Sequence, residues 1–262
     1  METVDAPRTS GRDRTRCNGA YTRLTRSAVV EQLPDRCNML IGLRKRSIPM
    51  GPVNRTSETN DPSGRGPDEY AAQTRQRYAT GQTPWDTGVP SPELIRVIES
   101  GDFEGKRVLE FGCGSGTNSL ELARRGYSVT AVDLAELPIQ RAKERAQRAD
   151  VRINFRVGDF THMDLGGPYD CLFDLSVYDG IRSRDLLGFL RALQRASRPG
   201  TRWLSLAGNA REPASDGPPV VREEEFRSEL GSLFDFLEVR EFRFDLAPNF
   251  KPLAWSILME RK

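Results

Sequence analysis

Three glycines spaced two apart, Gly112, Gly114 and Gly116, follow directly on the apolar run Val108-Leu109-Glu110-Phe111 and lead into Thr117-Asn118 and a helix-compatible segment. A strand that ends in such a turn and feeds a helix constrains the fold more than any other stretch of the chain. Glycine permits positive φ and lets a ligand approach the backbone with no Cβ in between. The helix that follows begins with unpaired amide groups facing the same ligand. Asp133 ends the next apolar run, where a carboxylate can accept both hydroxyls of an adenosine ribose.

The surrounding segments alternate. Strands are expected at 107–111, 128–133, 152–157, 169–174 and 202–207, and helices at 67–78, 92–100, 117–125, 138–149 and 184–196. Strands interleaved with helices of this length form an α/β fold with a parallel sheet covered on both faces. After a helix at 223–230 the rhythm breaks. Segments 236–244 and 253–260 read as two strands with no helix between them, so they must pair antiparallel. The expected architecture is a Rossmann-like, mostly parallel seven-stranded sheet closed by a C-terminal antiparallel hairpin.

Both NAD and S-adenosyl-L-methionine use a ribose clamp of this kind. The dinucleotide fingerprint is GxGxxG/A, whose third small residue lets the helix pack beneath a pyrophosphate. Here Thr117 stands at that place and the spacing is GxGxG. Glu110 suits the network around a methionine ammonium and is unhelpful beside a pyrophosphate. With the terminal hairpin, these features favour S-adenosyl-L-methionine. An NAD-dependent oxidoreductase and a non-catalytic protein that only binds the adenosyl ligand remain the alternatives.

Residues 107–262 resemble the class I S-adenosylmethionine-dependent methyltransferases in order of elements and in the glycine motif at 109–116. The resemblance implies a role in cofactor binding for Glu110, Gly112, Gly114 and Gly116. It implies the same for Asp133 with the adjoining Leu134, and for Asp159 and Phe160 of Gly158-Asp159-Phe160, where the Asp contacts the adenine amino group. It also places Asp174, at the end of the fourth strand, near the transferred methyl, with Tyr178 and Asp179 next to the acceptor. More narrowly, 83–88 with Pro92-Glu93-Leu94 resembles the thiopurine S-methyltransferase and halide/thiol methyltransferase group, in which a Trp-containing segment folds over the cofactor. Trp85 takes that part here. Gly217-Pro218-Pro219-Val220 and the acidic run at 223–226 are also similar to small-molecule methyltransferases. Two positions depart from the group: Leu175 follows Asp174 where Arg or Tyr is frequent, and Asp179 stands where relatives often carry His.

Composition narrows the chemistry further. The chain has one histidine, His162, and four cysteines without CxxC spacing, so no metal site is expected. Free thiols of this kind suit a reducing, cytoplasmic setting. No apolar run reaches the roughly 18 residues that span a bilayer. The net charge of +2 rests on the first 66 residues, while the remainder is slightly acidic, which argues against nucleic acid as a partner. No Pro-Cys pair is present for cytosine C5 chemistry, and Phe173-Asp174-Leu175-Ser176 replaces the Pro-Pro-Tyr cluster of nucleic-acid amino-methyltransferases. A small-molecule acceptor is therefore expected; the resemblance to the thiopurine and halide/thiol group implies a thiol or related soft nucleophile, and a monomer is expected.

The expected organisation is a disordered basic tail at 1–66, a helical lid segment at 67–100 and a methyltransferase domain at 101–262. The tail lacks a patterned apolar face. A chain that starts at Pro67 is therefore expected to keep the melting temperature and cofactor affinity of the full chain. A drop of several degrees in a thermal melt would contradict this.

Overall fold

The computed structural model describes residues 67–212, 218–246 and 250–262. The expectations for residues 1–66 and for Gly217 lie outside the described residues. Helices α1 (Pro67–Thr80) and α2 (Pro92–Glu99) precede β1 (Arg107–Phe111), α3 (Thr117–Arg124), β2 (Ser128–Asp133), α4 (Glu136–Arg148) and β3 (Asn154–Val157). Then come β4 (Cys171–Leu175), α5 (Tyr178–Ala196), β5 (Arg202–Asn209), β6 (Val220–Val221), α6 (Glu223–Leu230), β7 (Phe234–Arg243) and β8 (Leu253–Arg261). Among the described residues, no helix is long and apolar enough to cross a membrane.

The sheet order is β3-β2-β1-β4-β5-β8-β7, with the two-residue β6 paired to β5 beside it. β6 is an eighth strand that hydrophobic patterning did not indicate, because two residues carry no period. β1 pairs in parallel with both β2 and β4. Strand order therefore reverses at β1, and the crevice outside the carboxyl ends of β1 and β4 is where ligands of open α/β sheets bind. β8 runs antiparallel to β5, and β7 antiparallel to β8, as the missing crossover requires.

β1 shows how one strand builds two layers. Val108 packs with Leu94 of α2, Leu122 of α3 and Ile139 of α4. Leu109 and Phe111 point the other way, into a layer with Phe189 and Leu193 of α5 and Phe226 of α6. A strand covered on both faces is apolar at nearly every position. Each fully buried side chain of this size contributes about 1.5–3 kcal/mol. Glu110 is the exception among the buried positions of β1.

One helix differs from expectation. α5 starts at Tyr178, not at 184, and carries non-helical backbone at Asp185 (φ −148°, ψ 61°). The start is set by Asp174, whose Oδ1 accepts from the amides of Val177 (3.1 Å) and Tyr178 (3.0 Å). Those amides would otherwise be open donors of the first turn. Asp185 repeats the device, accepting from the Gly188 amide at 2.8 Å and opening the second helical segment. Only that second segment has the apolar period visible in sequence.

Candidate functional site

The site grows from the carboxyl end of β1. Gly112 and Gly114 take φ values of +61° and +53°, which L side chains rarely adopt. A Cβ would also crowd: on Gly112 it would stand 2.4 Å from Val177 Cγ2, and on Gly114 2.7 Å from the Tyr78 hydroxyl oxygen. Asp133, at the end of β2, fixes the loop. Its Oδ2 accepts the Gly114 amide at 2.8 Å and its Oδ1 the Ala135 amide at 2.9 Å. Leu134, between them, is half-buried. A carboxylate beside a backbone cradle free of Cβ atoms fits an adenosine ribose, and the donor set fits S-adenosyl-L-methionine.

The segment before the sheet reaches this loop. Tyr78 of α1 is buried, and its hydroxyl lies over Gly114 and accepts the Trp85 indole N–H at 3.1 Å. Burial pushes the Tyr78 phenol well above its ordinary pKa. Trp85 is half-buried, and the Arg77 guanidinium sits 4.3 Å from its ring centroid. Asp86 completes the contact by accepting the Ser115 hydroxyl at 2.5 Å.

Four carboxyl groups gather near the strand ends. Glu110 is buried, accepts the Ser119 hydroxyl, and is pushed by burial to a pKa of about 8. Asp133 is likewise raised by burial. Asp174 is fully buried and raised by burial to about 6. Asp179 is buried and raised to about 7, burial being the main cause, with the Asp174 charge adding to it. Its Oδ2 accepts the Ser176 hydroxyl (2.9 Å) and the Gly208 amide (2.8 Å), while Oδ1 is buried without a partner. None of the four is paired with a basic side chain among the described residues.

Two expected acceptor-side residues do not face the crevice. Asp174 is enclosed: besides capping α5, it accepts the Trp203 indole N–H at 3.0 Å on Oδ2. Tyr178 turns into the α5–α6 layer and donates to Glu229 Oε2 at 2.5 Å. In this structure Asp174, at the end of β4, and Tyr178, in the first turn of α5, are both engaged in contacts within the protein. Asp159 lies beyond β3 and is exposed. Partial burial opposes its ionisation, but hydrogen bonds from Thr161 and His162 outweigh it and hold its pKa below the ordinary range. Phe160 packs edge-on against Phe111 at 5.2 Å. Tyr78, Asp86, Ser115 and Arg145 touch the glycine loop but drew no individual notice in sequence. Asp86 and Ser115 lay inside motifs that were noticed, whereas Arg145 was one cation among several on α4.

Comparison with known proteins agrees with this geometry. A family model described as a methyltransferase domain matches residues 108–200. A 2-heptyl-1-hydroxyquinolin-4(1H)-one methyltransferase of Mycobacteroides abscessus is 32% identical over 63% of this chain and 70% of its own. A probable thiol methyltransferase of Arabidopsis thaliana is 24% identical over 66% of this chain and 77% of its own. Among solved structures, magnesium protoporphyrin IX methyltransferase of Synechocystis, with bound S-adenosylmethionine, shares the fold. Its TM-score is 0.56 at 18% identity, covering 73% of this chain and 97% of that one.

The carboxyl cluster has a consequence for stability. Glu110, Asp174 and Asp179 have folded-state pKa values raised above those of the unfolded chain. Their contribution is present in full below pH 4 and is lost as pH rises through about 6 to 8. At about 1.4 kcal/mol per pKa unit, the loss is of the order of a few kcal/mol for each group. Melting temperature at constant ionic strength is expected to fall between pH 5 and pH 9, and Glu110→Gln to flatten the decline. A profile that rises over this range would contradict the assignment.

Proposed function

Because the chain belongs to the class I S-adenosyl-L-methionine-dependent methyltransferases, we propose that its acceptor is a small molecule that attacks through a thiol or a related soft nucleophile. The buried carboxyl groups of Glu110, Asp133 and Asp179 carry this reading. Acidic groups without basic partners suit a cofactor bearing a sulfonium and an ammonium, and disfavour a pyrophosphate. The same cluster offers no exposed base. The one histidine of the chain, His162, sits beside Asp159 and Thr161 beyond β3.

An acceptor that ionises by itself fits such a site. A thiol with a pKa near or below about 8 supplies its own thiolate. Of two relatives, one is named for a thiol acceptor, and the other for a 1-hydroxyquinolinone, whose N–OH also ionises readily but would accept the methyl on oxygen. When bound, the cofactor supplies a methyl group already activated on sulfur. The protein has then to bind, align and exclude water. In this reading Asp133 holds the ribose, Asp159 meets the adenine amino group with Leu134 and Phe160 beside it, and Glu110 completes the network on the methionine side. The glycine backbone forms the floor and Trp85 the cover.

A second reading rests on Asp179. Its partnerless Oδ1 and a pKa of about 7 suit a base for a hydroxyl acceptor. A methyl-transfer screen over thiols, halides, chalcogen oxyanions and phenols separates the two. Transfer to thiols that survives Asp179→Asn is the expected result. Transfer to phenols alone, lost in Asp179→Asn, would replace the first reading by the second.

The ribose assignment has its own test. Asp133→Ala is expected to weaken S-adenosylhomocysteine by about 1.5–3 kcal/mol, the range for hydrogen bonds to charged groups. An unchanged dissociation constant by calorimetry would refute it.

A further inference from the structure

Arg145 is the one cation that reaches the glycine loop from α4. Its Nη1 donates to the Ser115 carbonyl (3.2 Å), the Ser115 hydroxyl (2.6 Å) and the Thr117 hydroxyl (2.9 Å). The Ser115 hydroxyl passes the connection on, donating in turn to Asp86 Oδ1 at 2.5 Å. The Arg145 guanidinium lies 3.9 Å from the same Asp86 oxygen. Three elements that are distant in sequence thus meet through one serine: the lid segment carrying Trp85 and Asp86, the glycine loop, and α4. Asp86 also belongs to a turn, its amide bonding to the Thr83 carbonyl at 2.9 Å, so its position fixes that of Trp85.

From this chain of contacts we infer that Arg145 is a positioning residue for the cofactor site, latching the lid to the glycine loop through Ser115 and Asp86. The inference rests on the cofactor reading above. The latch bonds Ser115, Thr117 and Asp86 and makes no bond to Asp179, so it acts on the cofactor and not on the acceptor. Loss of the guanidinium leaves Asp86 without its nearby countercharge and the Ser115 carbonyl without a donor. The lid then loses its register with the loop. Stability changes little, because partly exposed ion pairs contribute at most about 1 kcal/mol, whereas a site held in the wrong geometry loses affinity.

Arg145→Met is expected to raise the KM for S-adenosylmethionine and the Kd for S-adenosylhomocysteine about tenfold, with kcat at saturating cofactor within about twofold of the unaltered protein. Tenfold corresponds to about 1.4 kcal/mol. Arg145→Lys, which keeps the charge but not the fork of donors, should fall between the two. Combined with Asp86→Asn, Arg145→Met should add little further loss, since both break one connection. Unchanged affinity in Arg145→Met overturns the latch. So does a loss that merely tracks a lowered melting temperature with no rescue by Arg145→Lys. If Arg145→Met does not fold, Ser115→Ala removes the relaying hydroxyl alone. A raised Kd in that variant supports the latch, and an unchanged Kd overturns it. Failure of the unaltered protein to bind S-adenosylhomocysteine would instead overturn the cofactor reading.

Discussion

The carboxylate of Asp133 accepts one backbone amide on each oxygen, Gly114 from the glycine loop and Ala135 from the start of α4. The rest of the site depends on that pair of bonds. They bind the end of β2 to the end of β1, and they give the left-handed backbone at Gly112 and Gly114 a fixed anchor. Without them the loop would be free to fold back, and the cradle over which Tyr78 and Trp85 close would have no defined floor. In the proposed binding mode the same carboxylate also holds the ribose diol, so that binding and architecture would share one side chain.

Around Asp133 the protein tolerates an electrostatic cost. Glu110, Asp174 and Asp179 are buried near it, unpaired with bases, and their pKa values rise as a result. In a protein interior such groups are held neutral or held by hydrogen bonds. Asp174 shows the second solution, since every bond it makes stabilises α5 or Trp203. Glu110 and Asp179 are less fully compensated, which is what a cationic ligand would relieve. Acidic groups that look alike in sequence thus differ in how completely their hydrogen bonds compensate burial.

Much of this was legible in the chain itself. The glycine motif, the strand that precedes it and Asp133 lie within 26 residues of one another, and local conformational demands determine all three. Periodicity placed five parallel strands and the final hairpin close to where they stand. The missing helix between β7 and β8 was enough to require antiparallel pairing. β6 escaped notice because two residues show no pattern, and the first segment of α5 did because its start is set by the Asp174 side chain and not by apolar spacing.

The amino-acid sequence alone determined the architecture, the cofactor class and the glycine loop at the end of β1, because strand periods, glycine φ preferences and the acid at the end of β2 are local properties. Only the tertiary structure decided which partners each buried acid has. Contacts between residues far apart in the chain joined Tyr178 to Glu229 and Asp174 to Trp203, and left one oxygen of Asp179 without a partner. It also decided that Arg145 differs from the other cations of α4. A charge on a helix surface acquires a task only from what the folded chain brings within reach, here Ser115 and, through it, Asp86.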